Sequence, residues 1–122
     1  FEIPESSRVA KGQAIVNLLD MPATETVKSM LTYNPQDKKS NKFVLMATKK
    51  GEVKKTAVKE FKNIRRTGIL SIKIQGSDQL SWVDFTNGDN DILLVTKNGK
   101  IICFNESQIR STGRSSMGVR GI

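Results

Sequence analysis

An all-β repeat protein is what this sequence predicts, on three observations. A nine-residue pattern occurs twice, a glycine-containing turn follows the same Thr-Lys pair in each copy, and no stretch sustains a helical period. The first copy is Phe43-Val44-Leu45-Met46-Ala47-Thr48-Lys49-Lys50-Gly51. The second is Asp91-Ile92-Leu93-Leu94-Val95-Thr96-Lys97-Asn98-Gly99, 48 residues later. A further run follows each, Val53 to Val58 or Ile101 to Phe104. Two runs around a short turn predict a β-hairpin. Asn98-Gly99 is the stronger turn signal and predicts a type I′ turn, with positive φ at both residues.

A second recurring element follows each hairpin: Arg8-Val9-Ala10-Lys11-Gly12, Arg65-Arg66-Thr67-Gly68 and Arg114-Ser115-Ser116-Met117-Gly118. Between each such glycine and the next hairpin, two more short strands are expected. They are Ala14 to Leu19 and Val27 to Leu31 in the first period, and Ser71 to Ile74 and Leu80 to Phe85 in the second. Lys59 to Ile64 is too short for a stable helix. Tyr33 to Asn41 reads as a polar loop. Four short strands in about 50 residues, repeated in tandem, is the pattern of propeller blades. The expected units are 12–67 and 68–118, with 1–11 and 119–122 belonging to neighbouring blades. About two blades of four antiparallel strands are therefore predicted, with both ends cut from something longer.

The charge is uneven. Net charge is +8, yet residues 38–66 alone hold eleven Lys/Arg against two acids. A clustered excess of this kind fits a polyanionic partner; a lysine-rich solvated face fits the same numbers. The lone Cys103 excludes an intrachain disulfide and fits a reducing cytoplasm. It lies in an apolar run and is expected as a buried small hydrophobe, as Trp82 and Phe85 are expected in core or inter-blade packing.

Enzyme chemistry finds no foothold. The chain has no His, so a cysteine nucleophile lacks its usual partner and a metal cluster its commonest ligand. Gly113 to Gly118 have phosphate-loop spacing, but Val119 stands where the lysine belongs. Asp89 and Asp91 read as solvated turn residues. No apolar run approaches the roughly 20 residues of a membrane span.

The recurring residues also resemble a known family. Ile3-Pro4-Glu5-Ser6-Ser7-Arg8 and Gly12-Gln13-Ala14-Ile15-Val16-Asn17-Leu18-Leu19 are similar to a stretch of DNA gyrase A subunits. So are Ala47-Thr48 through Lys54-Lys55-Thr56, then Phe61 and Arg65 to Gly68. Arg114 to Ile122 resembles that family's recurring Gly-Val-Arg-Gly-Ile, and the likeness runs from end to end in order. The resemblance implies a C-terminal β-pinwheel, a propeller variant with strands exchanged between blades. It implies sequence-independent binding and bending of duplex DNA, which supports negative supercoiling by an ATP-dependent bacterial type II topoisomerase. The cleaving tyrosine, ATP and Mg2+ would act elsewhere in the parent, in the B subunit or in the rest of the A subunit. No cofactor is expected in this chain. A Gln-Arg-Arg-Gly-Gly-Lys-Gly box used for wrapping is expected upstream of Phe1. Topoisomerase IV blades are the nearest alternative, and a protein-docking propeller is the alternative of another class.

A propeller repeats its loops at equivalent radial positions, so basic residues at equivalent places become an arc. The expected DNA contacts are Arg8, Lys11, Arg65, Arg66 and Arg114 before the recurring glycines, Lys49, Lys50 and Lys97 at the hairpin turns, and Arg120 after the last. Lys54 and Lys55 are adjacent in a strand and should point to opposite faces, one of them toward DNA. Such cations hold phosphates without reading sequence and can offset a smooth bend costing roughly 1–6 kcal/mol. Lys38, Lys39 and Lys42 are expected to be merely solvated. The open blade edges offer self-association, three copies closing a six-bladed ring, the alternative being short, lysine-guarded edges that leave an open monomer.

Overall fold

The computed structural model describes residues 3–34, 36 and 42–122, and contains no α-helix among them. Its strands are β1 (Phe43–Thr48), β2 (Glu52–Ala57), β3 (Leu80–Thr86), β4 (Asp91–Val95), β5 (Ile101–Asn105) and β6 (Val119–Arg120). Single 3-10 turns follow β2 at Val58–Phe61 and β5 at Glu106–Gln108. The strands form a four-stranded antiparallel sheet in the order β3-β1-β2-β6 and a separate two-stranded ladder, β4-β5.

Both expected hairpins form, and both turns use one device. Thr48 Oγ1 accepts the Glu52 N–H at 3.1 Å, and Thr96 Oγ1 accepts the Lys100 N–H at 3.0 Å. The glycine amide of each turn donates to the same threonine's carbonyl. Gly51 and Gly99 take positive φ, +90° and +78°, but Asn98 does not. The expected type I′ turn is thus replaced by a longer one, in which the threonine closes the loop and only the glycine is left-handed.

Three expected strands do not form. Residues 14–19 contain a 3-10 turn at Ile15–Asn17, while 27–31 and 71–74 are irregular. A strand exists only as a ladder partner. The amino-terminal segment reaches the rest through isolated contacts, such as Asp20 N–H to Arg66 O at 3.3 Å and the Tyr33 ring 5.8 Å from Phe85. In 70–73 the carbonyls of Leu70 and Ser71 accept from side chains instead of a ladder.

The sheet does not follow the sequence repeat. β1 and β2 lie in the first period, β3 in the second, and β6 beyond it. The Gly-Val-Arg-Gly-Ile segment fits against β2 because its glycines have no side chains. A Cβ on Gly118 would lie 2.9 Å from Val53 O, and one on Gly121 2.8 Å from Leu94 Cδ1.

The centre of the molecule is polar as much as apolar. Met46, Val53, Ile72 and Ile109 are buried, and so are Thr48, Lys54, Lys55, Thr56, Thr86 and Glu106. β2 supplies four consecutive buried residues, Val53 to Thr56, so both of its faces are covered. Cys103 and Trp82 depart from expectation. Cys103 is exposed, on a ladder to which no further strand is paired among the described residues, and Trp82 is 64% exposed on β3.

Candidate nucleic-acid interface

The cations expected at the hairpin turns are brought together. Lys49, Lys50 and Lys97 all line one groove of about 760 Å³ between the β1–β3 face and β4, floored by Leu45, Ala47, Val83, Ile92 and Leu94. All three are exposed. The β1–β2 turn is anchored from outside: Lys50 N–H donates to Asp78 Oδ1 at 2.9 Å and its Nζ to Ser77 Oγ at 2.9 Å. Burial tends to raise the Asp78 pKa. The Thr48 hydroxyl, the amides of Gln79 and Lys50 and the Lys50 charge outweigh it and hold the carboxyl below its ordinary value.

Arg65 and Arg66 stand exposed on a tight turn closed by Gly68 N–H to Arg65 O at 2.8 Å. Arg8 lies on a similar turn, Ser7 to Ala10, and it and Lys11 are exposed. Arg120 is exposed on β6, opposite Glu52. Arg114 is half-buried, and its guanidinium donates to Leu70 O at 3.3 Å, so part of its hydrogen-bonding capacity is spent inside the fold. Lys42 is exposed; Lys38 and Lys39 lie outside the described residues.

Lys54 and Lys55 require correction. They do point to opposite faces, but both are buried, 1% and 5% exposed, and neither can present its charge to a partner. Lys54 Nζ donates to Ser71 O and Arg114 O, each at 2.6 Å. Burial, and after it the Arg114 charge, lowers the Lys54 pKa. Lys55 Nζ donates to Glu106 O at 2.6 Å, lies 3.5 Å from Glu106 Oε2, and sits 5.0 Å over the Phe43 ring. The doublet stands in a strand enclosed on both faces, where carbonyls and a carboxylate replace water.

Two residues were not singled out from the sequence. Glu106 is completely buried, and its carboxylate accepts from the Thr86 hydroxyl at 2.8 Å, Gly88 N–H at 3.0 Å and Asn90 N–H at 2.9 Å. Burial tends to raise its pKa, but these donors and the Lys55 charge outweigh that and lower it. Arg110 is exposed just after the 3-10 turn that follows β5. Its signal was present: Ile109-Arg110-Ser111-Thr112-Gly113 matches Ile64-Arg65-Arg66-Thr67-Gly68, and each follows a hairpin and a 3-10 turn. Arg110, rather than the expected Arg114, is thus the counterpart of Arg65. Among the described residues no group of acidic, Cys or His side chains is arranged to hold a metal, and no helix is long and apolar enough to cross a membrane.

Antiparallel sheets built across tandem periods, with cationic turns at recurring places, define a piece of a propeller-type repeat domain. The family model for the DNA gyrase C-terminal domain, a β-propeller, matches residues 2–33, 42–87 and 90–122. The chain belongs to that family, the C-terminal propeller of DNA gyrase A subunits. It is 43% identical over 121 residues to the DNA gyrase A subunit of Clostridium acetobutylicum, covering 99% of this chain and 14% of that one. It is 40% identical over 122 residues to the same protein of Salmonella typhimurium, covering all of this chain and again 14% of the relative. The chain thus spans about a seventh of the curated relatives it matches. Among solved structures, the C-terminal domain of DNA topoisomerase IV aligns with a TM-score of 0.78 and 33% identity, over 89% of this chain and 33% of that one. A DNA gyrase A C-terminal domain aligns with a TM-score of 0.76 over 93% of this chain and 36% of that one; at 24% identity it speaks for the fold alone.

Proposed function

We propose that this chain is a duplex-DNA-binding and wrapping module that serves the A subunit of a bacterial, cytoplasmic DNA gyrase. Its working partners are then the B subunit plus the rest of that A subunit. The observation that carries this reading is the Ile-Arg-x-Thr-Gly segment that occurs twice, a tight turn in its first copy and a stretch bridged to β2 in its second, and that exposes Arg65, Arg66 and Arg110 after successive hairpins. Arg8, Lys11, Lys49, Lys50, Lys97 and Arg120 extend the set of exposed cations, and Arg114 contributes the part of its guanidinium left free. Spaced cations of this kind hold phosphates and ignore base sequence. The module does no chemistry of its own; strand passage, ATP and Mg2+ belong to the remainder of an ATP-dependent type II topoisomerase. A topoisomerase IV module is the second reading, favoured by the alignment to that enzyme's C-terminal domain.

The test is fluorescence anisotropy of labelled duplexes of unrelated sequence across a salt series. If about five phosphates are neutralised, log K falls against log salt with a slope of about −4.5, the same for every duplex. Arg65→Glu with Arg66→Glu should weaken binding to all of them alike and make the slope shallower. Salt-insensitive binding, or a double variant that binds like the parent, would refute the cationic interface.

A further inference from the structure

Lys54 heads the fully buried side chains in size, in the middle of β2. Among the described residues no carboxylate pairs with it; the ion pair found is the neighbouring Lys55–Glu106. Burying an ammonium without a counter-ion is costly. An aliphatic side chain would fill the same space without that cost, and the second hairpin has one, Ile102, at the matching position. What distinguishes Lys54 is therefore what its ammonium donates to.

Its two acceptors belong to the two loops that carry the arginines. Ser71 follows the Arg65–Gly68 turn, and Arg114 lies inside the turn closed by Ser116 N–H to Gly113 O, just after Arg110. Two more bonds join the same segments without involving Lys54. The Arg114 guanidinium donates to Leu70 O, and Lys73 N–H donates to Ser116 O at 3.0 Å. Thr112 N–H also donates to the carbonyl of Lys55, the next residue on β2. Two loops distant in sequence are thus fastened to each other and to one strand, with a single ammonium at the junction.

We propose that Lys54 is a positioning residue for DNA binding: its buried ammonium clasps the segment after the Arg65–Gly68 turn to the Arg110–Ser116 loop, and so fixes the spacing of Arg65, Arg66 and Arg110. The inference rests on the DNA-binding reading above. Lys54 itself never meets DNA. It acts because cations already held in place lose less freedom on binding than cations on loose loops, and because a curved path needs its contacts at set intervals.

The experiment compares the 122-residue chain with Lys54→Met on a duplex carrying a fluorophore at each end. Anisotropy reads affinity over a salt series and end-to-end energy transfer reads bending. The methionine variant should bind about threefold to tenfold more weakly, the cost of re-ordering about one loop side chain. It should bend the duplex less, with the salt slope unchanged, because no phosphate contact has been lost. A slope shallower by about one unit would make Lys54 a direct phosphate contact and overturn the clasp. Affinity and bending equal to the parent would overturn it too. If the methionine variant does not fold, Lys54→Gln, whose uncharged amide nitrogen is one atom closer to the backbone and so falls short of the Ser71 and Arg114 carbonyls, carries the test: weaker binding and bending at constant slope support the clasp, and parental values overturn it. Failure of the unaltered chain to bind any duplex would sink the functional reading, and is recognised before any substitution is made.

Discussion

The two hairpins start from nearly the same sequence and end in different surroundings. β1–β2 lies between β3 and β6, with Met46, Thr48 and all of Val53 to Thr56 buried. Among the described residues β4–β5 pairs with no further strand, and Leu93, Val95, Ile101 and Cys103 remain exposed. The Thr-Lys-x-Gly turn is the same in both, so the hairpin itself is a local property of the chain. Burial is not local; it depends on which strands arrive at the edges. Hence Lys54 and Lys55 are interior residues in one hairpin, while Ile102 and Cys103, their counterparts in the other, face solvent. Polarity and burial are here inverted from the usual order, and the inversion holds because the charged groups of Lys54, Lys55 and Glu106 have each found partners.

The widest gap between the hairpins should appear at Glu106, the residue after β5 that ties the second hairpin to the first through Lys55, and to β3 through Thr86. Glu106→Ala leaves the Lys55 charge buried without its counter-ion and should cost about 3–5 kcal/mol in denaturant unfolding. The same group sets an acid limb. Its folded pKa lies below its ordinary value of about 4.3. Its stabilisation is therefore complete above about 4.3 and is lost as pH falls through the depressed folded value. A pH series of thermal melts should show that limb in the parent and a flatter one in Glu106→Ala. An unchanged limb would place the titrating group elsewhere.

A smaller effect is expected at Gly121, where an added Cβ would press on both hairpins at once, on Leu94 and on Val53. Gly121→Ala should destabilise by about 1–3 kcal/mol through overpacking, whereas Gly12→Ala, with open space around it, should not. Next come the turn threonines. Thr48→Val and Thr96→Val each remove a hydroxyl that accepts a backbone amide, a loss of about 1 kcal/mol. The cost should be larger at Thr48, which is buried. Equal costs would mean that the environments of the two turns do not matter. The smallest change belongs to the exposed ladder. Leu93→Thr and Cys103→Ser should change the unfolding free energy by no more than about 0.5 kcal/mol, and a larger loss would show that this face is covered in solution.

Much of this was legible because it is local. Thr48-Lys49-Lys50-Gly51 and Thr96-Lys97-Asn98-Gly99 announced their turns, and Ser81, Val83 and Phe85 alternate with Trp82 and Asp84 along a real strand. The failures concern residues whose partners lie far along the chain. Ser71 to Ile74 alternates like a strand, yet two side chains from elsewhere occupy carbonyls a ladder would use. Lys54-Lys55 reads as surface in any local window, because nothing nearby in sequence tells of Ser71, Glu106 or Arg114. Arg110 was missed for another reason. Gly113 closes the closer match, Ile-Arg-x-Thr-Gly standing twice in the chain, while the poorer match on Gly118 competes with it a few residues on.

Because β1 takes one neighbour from its own hairpin and the other from the following period, the unit that is copied and the unit that folds are out of phase. For the history of such an array the mismatch is permissive in one direction and strict in the other. Duplicating one whole period, from any starting point, gives every strand a partner at its accustomed distance, so the number of periods can grow without a favoured breakpoint. Removing one strand's worth of residues does the opposite: the loss of β1, for one, would leave both β2 and β3 without their shared partner. Interlocked periods of this kind should therefore be gained and lost whole, and drift in sequence between those events.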